Sequence, residues 1–287
     1  MDENLLQDVV AAALKAGADS AEAAFAERAA LSVTVRLGEL EEVEREEARD
    51  LGVRVFIGQR QASVSGSDIS ADGRAKLVER VVAMARLAPE DPYAGLAPSD
   101  RLATGSVADL NVYDPTELDA EALEALALAA ENAARAVEGV TNSNGGSASW
   151  SNSGWRLVTS GGFSGEYRAS TFGLSAQCIA GEGAAMERGG EGRATRWRED
   201  LPMPEAIGAE AGRRAVSSLN ARKIASTTAP VIFENRLATS LLGPLIGAIS
   251  GPSVARGVSF LKDKLGQCIF AEGVTLSDDP HRVRGLG

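Results

Sequence analysis

The chain has 287 residues, 44% of them apolar, which suits one large domain or two to three smaller ones with a real core. Its formal net charge of -11 repels nucleic acid phosphates and anionic lipid headgroups, so we expect no direct binding to nucleic acid and no membrane association. Two widely separated cysteines argue against a disulfide framework, and the acidic N-terminus lacks a signal peptide's basic head and apolar core. We therefore expect a cytoplasmic protein.

The first 88 residues have the pattern of a compact α+β domain. Apolar residues at spacings of three and four predict a helix over residues 4–16, and Gly17 is placed to end it. The same spacing predicts a second helix over 72–87. We assign residues 1–88 to an N-terminal domain built from these helices and the strands between them.

Strands are predicted where apolar and polar residues alternate. Residues 31–37 and 53–57 show this alternation, and Gly58-Gln59-Arg60 suggests a hairpin turn after the second strand. The glutamate-rich stretch 39–50 has helical propensity, but it also fits a strand. We interpret it as the solvent-exposed face of a strand or of a helix. The alternative is that it contacts a partner.

A proline-punctuated connector follows, and we assign residues 89–115 to an interdomain linker containing Pro89, Pro92 and Pro98. The clearest helical pattern in the chain covers residues 116–137. Thr116 and an acidic first turn predict its beginning, because both stabilise the exposed N–H groups of a helix N-terminus.

Residues 116–222 are assigned to a central α+β domain. Short alternating runs from Val140 to about Asp200 predict antiparallel strands, and a helix is predicted over residues 204–219. We expect tight turns between the strands at Asn144-Gly145, Ser160-Gly161-Gly162 and Gly189-Gly190.

Candidate catalytic side chains are few. Serine or cysteine nucleophiles usually need a histidine base, and the only histidine, His281, lies in a predicted turn, where we interpret it as a loop residue. We interpret Cys178 and Cys268 as small buried apolar groups, not as reactive thiols. A zinc site from Cys268, Asp278 and His281 has suitable ligand types but lacks a diagnostic spacing.

Two further patterns have a structural and a functional interpretation. The glycine-rich segments 181–183 and 189–192 complete no phosphate-binding motif and carry glutamates, so we interpret them as hairpin turns. Four aromatic residues in the strand-rich region fit sheet packing better than they fit a peptide-binding surface: Trp150, Trp155, Phe163 and Tyr167.

The stretch 230–251 changes from an extended apolar run to a helical one. Residues 231–233 predict a short strand, and apolar residues spaced by three and four predict a helix over 237–249. Pro244 lacks a backbone N–H, so we expect a kink or restart of this helix at Gly243-Pro244.

This strand-to-helix stretch resembles the TldD/PmbA metalloprotease family. In the zinc-binding subunit of that family the helix begins with LLHExxxH, and the corresponding letters here are LLGPLIGA, residues 241–248. The resemblance places Gly243 and Ala248 at the zinc-binding histidines and Pro244 at the catalytic glutamate. None of the three supplies a metal ligand or a base. The chain therefore resembles the metal-free PmbA (TldE) side of the family, with no catalytic, cofactor or metal residue of its own.

The family resemblance extends over nearly the whole chain, including EGVTLSDDPHRVRGLG at residues 272–287. It favours a strand for residues 39–50. Strands are predicted at 266–270 and 273–276, followed by a turn at 277–281, and we assign 223–287 to the beginning of a β-rich C-terminal domain. Family members continue well beyond this turn, so we expect the chain to be a fragment or a truncated gene model.

The resemblance implies a non-catalytic subunit that forms a heterodimer with a homologous, HExxxH-bearing TldD-like subunit. That partner would hold the zinc and cleave unfolded or leader-bearing peptides, while this chain shapes the substrate chamber and binds peptide backbone along its strand edges. Whether the chain is itself an enzyme stays open. The alternatives are a homo-oligomeric peptide-binding or scaffold protein, and a hydrolase with its own unrecognised site.

Overall fold

The computed structural model describes residues 3–103 and 108–286, and they form an α+β fold around an antiparallel half-barrel sheet. The predicted fold class is confirmed. The helices and strands of the first part of the chain are α1 (Glu3–Lys15), β1 (Ser20–Arg36), β2 (Glu39–Ile57), β3 (Arg60–Gly66) and α2 (Ala71–Leu87). Those that follow are α3 (Ala120–Arg135), β4 (Val140–Thr159), β5 (Ser164–Ala180), β6 (Glu187–Thr195), α4 (Pro204–Ser217), α5 (Asn235–Ala238), α6 (Leu242–Ile249) and α7 (Gly251–Ala255).

The six strands lie in one sheet in the order β3-β2-β1-β4-β5-β6, and all neighbours are antiparallel. The pairing of β1 with β4, with Leu31 opposite Trp150, joins the strands of the first hundred residues to those of the second. The chain divides into two compact units, and the whole sheet belongs to the first. One contains the chain up to Ala221 together with the segment from Pro280, and the other contains Arg222–Asp279.

Two separate hydrophobic cores cover one face of this sheet. Helices α1 and α2 cover one part of the sheet, in a core that includes Ala21, Ala23 and Phe25 of β1. Helices α3 and α4 cover the other part, in a core that includes Leu31, Val33 and Val35 of β1. Because side chains alternate along a strand, these odd-numbered residues all point to the same face. Between the two cores, Glu27 belongs to neither cluster, and Ala29 is partly buried against the second.

Several predicted boundaries agree with the structure. Helix α1 ends before Gly17, which has a φ of +105°, and the β2–β3 hairpin turns at Gly58-Gln59 as predicted. The acidic stretch 39–50 is part of strand β2, as the family resemblance favoured. Helix α3, however, begins at Ala120 and not at Thr116, because Asp119 caps it by accepting a hydrogen bond from the Ala122 N–H.

Two of the three predicted central turns are wrong. Asn144-Gly145 lies inside β4 at a β-bulge, where Gly145 has a φ of +105° and a Cβ would lie 2.5 Å from the Val35 carbonyl oxygen. Gly189-Gly190 lies inside β6, where a Cβ on Gly189 would lie 2.2 Å from the Ala215 backbone nitrogen of α4. Both glycines therefore permit close packing inside the fold. The third turn, at residues 160–162, is confirmed.

The unit Arg222–Asp279 differs from its prediction. Residues 231–233, 266–270 and 273–276 are not strands, because none of them pairs with another part of the described chain. The helix predicted over 237–249 is divided into α5, a 3₁₀ turn and α6. Its predicted restart occurs at Leu242, which places Pro244 in the first turn of α6, where a missing N–H removes no helical hydrogen bond.

The predicted linker ends in a buried anchor, Asp114, which is 4% exposed. Its carboxylate accepts hydrogen bonds from the Arg198 N–H and the Thr116 N–H, both at 2.9 Å, and its own N–H donates to Ser170 Oγ. Burial acts to raise the pKa of Asp114, but the hydrogen bonds from Arg198 and Thr116 outweigh it and hold the pKa below the ordinary value.

We expect Asp114→Asn to lower the free energy of unfolding by about 2 kcal/mol at pH 7, because the amide cannot accept both hydrogen bonds. A carboxyl whose folded pKa is lowered stabilises the fold above its unfolded pKa, about 3.9. That contribution is lost as the pH falls through the lowered folded pKa. We therefore expect the difference in free energy of unfolding between the unmodified chain and Asp114→Asn to shrink only below about pH 4. Urea unfolding between pH 7 and pH 3 measures this difference.

Asp100→Asn is the matched control, since the exposed Asp100 carboxylate accepts no hydrogen bond from the residues that the structure describes. A loss of stability in Asp114→Asn that stayed constant down to pH 3 would contradict the role given to the charged carboxylate.

Candidate functional site

The three positions that the family resemblance places at the zinc motif lie on α6. Gly243 and Pro244 are exposed, and a Cβ built on Gly243 meets no atom within 4 Å. Ala248 is 6% exposed, and its carbonyl oxygen accepts a hydrogen bond from Ser259 Oγ at 2.6 Å. Hydrogen, a pyrrolidine ring and a methyl group supply no metal ligand, so these residues do not fit a zinc ion.

The cysteines and the histidine lie apart in the fold. Cys178 is fully buried in β5, and burial raises the pKa of its thiol, which disfavours the reactive thiolate. Cys268 is exposed, so its predicted burial is wrong. It belongs to the unit Arg222–Asp279, whereas His281 belongs to the other unit. In residues 3–103 and 108–286 no three His, Cys, Asp or Glu side chains are placed to hold a metal ion.

The four aromatic residues do not form one surface. Trp150 is 4% exposed, and its indole N–H donates to the Leu118 carbonyl oxygen at 2.6 Å, as expected for sheet packing. Trp155 and Tyr167 pair across β4 and β5 with ring centroids 5.9 Å apart. Phe163 lies at the turn between these strands. Because side chains alternate along β4, Trp150 and Trp155 point to opposite faces of the sheet.

One cleft in the described structure has a volume of about 620 Å³ and lies between the two hydrophobic cores. Its floor consists of two rows of residues that run across the strands. Strand register places Arg49, Glu27, Gly154 and Arg168 in the first row, and Glu47, Ala29 and Asn152 in the second. Ser67 and Glu117 line its rim. We call this cleft the charged trough.

Several charges in the charged trough lack an opposite charge. Arg45 and Glu47 form an ion pair at 2.6 Å. Arg168 lies 4.1 Å from the centre of the Tyr113 ring. No ion pair within the described part of the chain involves Arg49, Arg168 or Glu27. The floor therefore presents two available guanidinium groups and one carboxylate.

Asn152 is the most deeply buried polar residue of the charged trough, with 8% of its surface exposed. Its Oδ1 atom is buried and accepts no hydrogen bond from the described residues. A buried acceptor without a donor costs about 1–3 kcal/mol, so this position favours a molecule that brings an N–H or O–H group.

A second candidate binding surface is the edge of the sheet. Strand β3 pairs with β2 only over Leu51–Ile57, so residues 39–50 of β2 have one edge unpaired in the described structure. Six glutamates lie on this stretch: Glu39, Glu41, Glu42, Glu44, Glu46 and Glu47. An unpaired strand edge can bind another extended chain through its backbone N–H and C=O groups.

Sequence analysis missed the charged trough. Its one local signal is Glu27, which is in phase with the buried residues Phe25 and Leu31 on the same strand. A charged residue on the buried face of a strand indicates that the hydrophobic core is interrupted there. Arg49, Asn152 and Arg168 come together only through strand register, which the sequence does not specify.

None of the helices in the described part of the chain is both long and apolar enough to cross a membrane.

Three sequence models of one family match the chain. They are described as PmbA/TldA metallopeptidase domain 1, central domain and C-terminal domain, and they match residues 21–85, 113–219 and 226–287. The chain is also 37% identical to "Metalloprotease PmbA" of Escherichia coli O157:H7 over 98% of its own length. It spans 63% of the length of that relative.

Solved structures show the same fold. A proposed modulator of DNA gyrase from Bacteroides thetaiotaomicron superposes with a TM-score of 0.91 and 25% identity, over 99% of this chain and 65% of that one. TldE from Thermococcus kodakarensis superposes with a TM-score of 0.66 and 15% identity, over 91% of this chain and 58% of that one. With its three matching domains and its similarity to PmbA, the chain belongs to the PmbA/TldD metallopeptidase family.

Proposed function

We propose that this chain is the non-catalytic, PmbA/TldE-like subunit of a cytoplasmic metalloprotease that processes peptides. The proposal is supported by the chemistry of α6: the family resemblance places Gly243 and Ala248 at the histidines of HExxxH and Pro244 at its glutamate, and none of the three offers a metal ligand or a base. A zinc site needs nitrogen, sulfur or carboxylate ligands, and zinc-bound water needs a nearby base. A homologous subunit that retains HExxxH would supply both.

In this proposal the chain contributes binding surface and positioning. The unpaired edge of β2, residues 39–50, suits an extended peptide because backbone hydrogen bonds bind many sequences alike. Its glutamates would favour basic over acidic peptides at this edge. Zinc, when bound in the partner, would supply the activated water, and no step of the cleavage falls to residues of this chain.

The test mixes this chain with an HExxxH-bearing homologue from the same source and follows cleavage of a quenched fluorescent, unstructured peptide. We expect cleavage in the mixture, none by this chain alone, and loss of cleavage on adding a chelator. A homologue whose HExxxH glutamate is replaced by glutamine is the matched control, and it should be inactive in the mixture.

Two results would overturn the proposal. Chelator-sensitive cleavage by this chain alone would require a separate active site. An unchanged rate for the homologue with and without this chain, and no complex on size-exclusion chromatography, would favour the homo-oligomeric peptide-binding protein instead.

A further inference from the structure

We propose that the charged trough binds an extended polypeptide segment with two acidic side chains about four residues apart and a basic side chain between them. The site is built by strands β2, β1, β4 and β5 of this chain alone. The proposal goes beyond the proposed function, because it needs neither zinc nor a partner subunit.

The spacing of the two acidic side chains follows from strand register. Arg49 on β2 and Arg168 on β5 lie at the two ends of one row, with β1 and β4 between them. Three steps between neighbouring strands give a separation of about 14 Å, and an extended peptide covers that distance in about four residues. Arg side chains bind carboxylates through two parallel hydrogen bonds, which makes acidic side chains the matching groups.

The basic side chain follows from Glu27, which lies between the two arginines in the same row. A Cβ built on the neighbouring Gly154 would lie 3.2 Å from both Cγ and Oε1 of Glu27. The Glu27 carboxylate therefore extends over Gly154, toward the middle of the floor. An approaching lysine or arginine would pair with this carboxylate there.

Asn152 supplies the contact to the peptide backbone. It lies in the second row, beside Glu27 and Gly154, and its Oδ1 atom is an unsatisfied buried acceptor. A carboxamide can accept from a backbone N–H and donate to a backbone C=O. A peptide crossing the floor would therefore satisfy the one buried polar atom of the charged trough that the described residues leave without a partner.

The mixed charge of the lining excludes other ligand classes. Three glutamates alternate with four arginines in the lining, so it is not the uniformly basic surface that a polyphosphate or a nucleic acid favours, and the net charge of -11 repels both. Arg49 and Arg168 would repel a purely basic segment. The volume of about 620 Å³ lies in the range of about 300–1,000 Å³ for ligand sites, but its lining is charged where small-molecule sites are mostly apolar.

The experiment measures fluorescence anisotropy with three labelled probes in a Gly-Ser background. The first contains Asp-Gly-Lys-Gly-Asp, the second the charge-reversed Lys-Gly-Asp-Gly-Lys, and the third only Gly and Ser. We expect the chain alone to bind the first probe at least about threefold more tightly than the second, and the third not at all. Arg49→Ala should weaken binding of the first probe about threefold.

Arg80→Ala is the matched control, since Arg80 is exposed on α2 and outside the charged trough. It should leave binding unchanged. Asn152→Leu should weaken binding of both charged probes equally, because it removes the backbone contact and no charge. Far-UV circular dichroism checks that each variant is folded. If Asn152→Leu does not fold, Arg49→Ala still tests the proposal, because Arg49 is exposed and its replacement should not disturb the fold. Equal binding of both charged probes, or no effect of Arg49→Ala, would overturn the proposal.

Discussion

Glu131→Ala is expected to lower the free energy of unfolding by about 3–4 kcal/mol, because Glu131 is a fully buried acceptor for three hydrogen bonds. The N–H groups of Leu37 and Gly38 donate to its two carboxylate oxygens at 2.7 and 2.9 Å. Ser143 Oγ donates to Oε1. Leu37 and Gly38 form the turn between β1 and β2, with φ of 53° and 85°. Glu131 thus connects this hairpin to α3 and to the core that α3 helps to form.

Urea unfolding at pH 7 measures the change, and Glu138→Ala is the control because the Glu138 side chain is exposed in the turn after α3. The control should change the free energy of unfolding by less than about 0.5 kcal/mol. Glu131→Gln should fall between the two, since the amide keeps the shape but one of its ends cannot accept an N–H. If Glu131→Ala were as stable as the control, the carboxylate would not be what holds the hairpin.

The interaction at Glu131 also shows what the sequence could predict. The apolar spacing of α3, and the alternation of apolar and polar residues in parts of β1 and β2, can be recognised in the sequence. Such periodicity depends only on residues that are close in the chain. A glutamate in the middle of an alanine-rich helix gives no local sign that it binds a turn over ninety residues earlier. Such contacts depend on tertiary structure.

Glycine accounts for the two wrong turn predictions. Adjacent asparagine and glycine favour a turn, so Asn144-Gly145 was predicted as one. A glycine is equally suited to a place where another backbone comes close, and this is its role at Gly145 and Gly189. The sequence does not distinguish the two roles, because the second depends on a segment far away in the chain.

The predicted strands at 231–233, 266–270 and 273–276 failed for a different reason. Their alternation and their β-branched residues fit a half-buried strand, but a strand also needs a neighbour to pair with its backbone. No described segment pairs with them. The chain spans 63% of the length of the E. coli relative.

The two candidate sites differ in how far the sequence led to them. The positions Gly243, Pro244 and Ala248 were found through family resemblance alone, since nothing in their own chemistry points to a site. The charged trough was found through the structure alone, since its residues come from four strands. Family resemblance can thus suggest a site from sequence alone, whereas a site assembled by strand register can be recognised only once the strands are paired.

The contact between α3 and α4 gives the second large expected effect. A Cβ on Gly208 would lie 2.0 Å from the Ala130 carbonyl oxygen and 2.8 Å from Ala133 Cβ. Gly212, one helical turn later, would place a Cβ 2.5 Å from Val137 Cγ2. The two glycines let the helix backbones touch, and α4 in turn packs against β6 at Gly189. The close fit leaves no free volume for a methyl group.

Gly208→Ala is therefore expected to lower the free energy of unfolding by about 2–3 kcal/mol, although alanine has the higher helix propensity by about 1 kcal/mol. Gly247→Ala is the matched control, a glycine of α6 where a Cβ would meet nothing within 4 Å. It should leave stability unchanged or raise it by up to about 1 kcal/mol. Urea unfolding of both variants measures the difference. Equal effects would mean that helix propensity, and not the contact between backbones, determines the use of glycine in these helices.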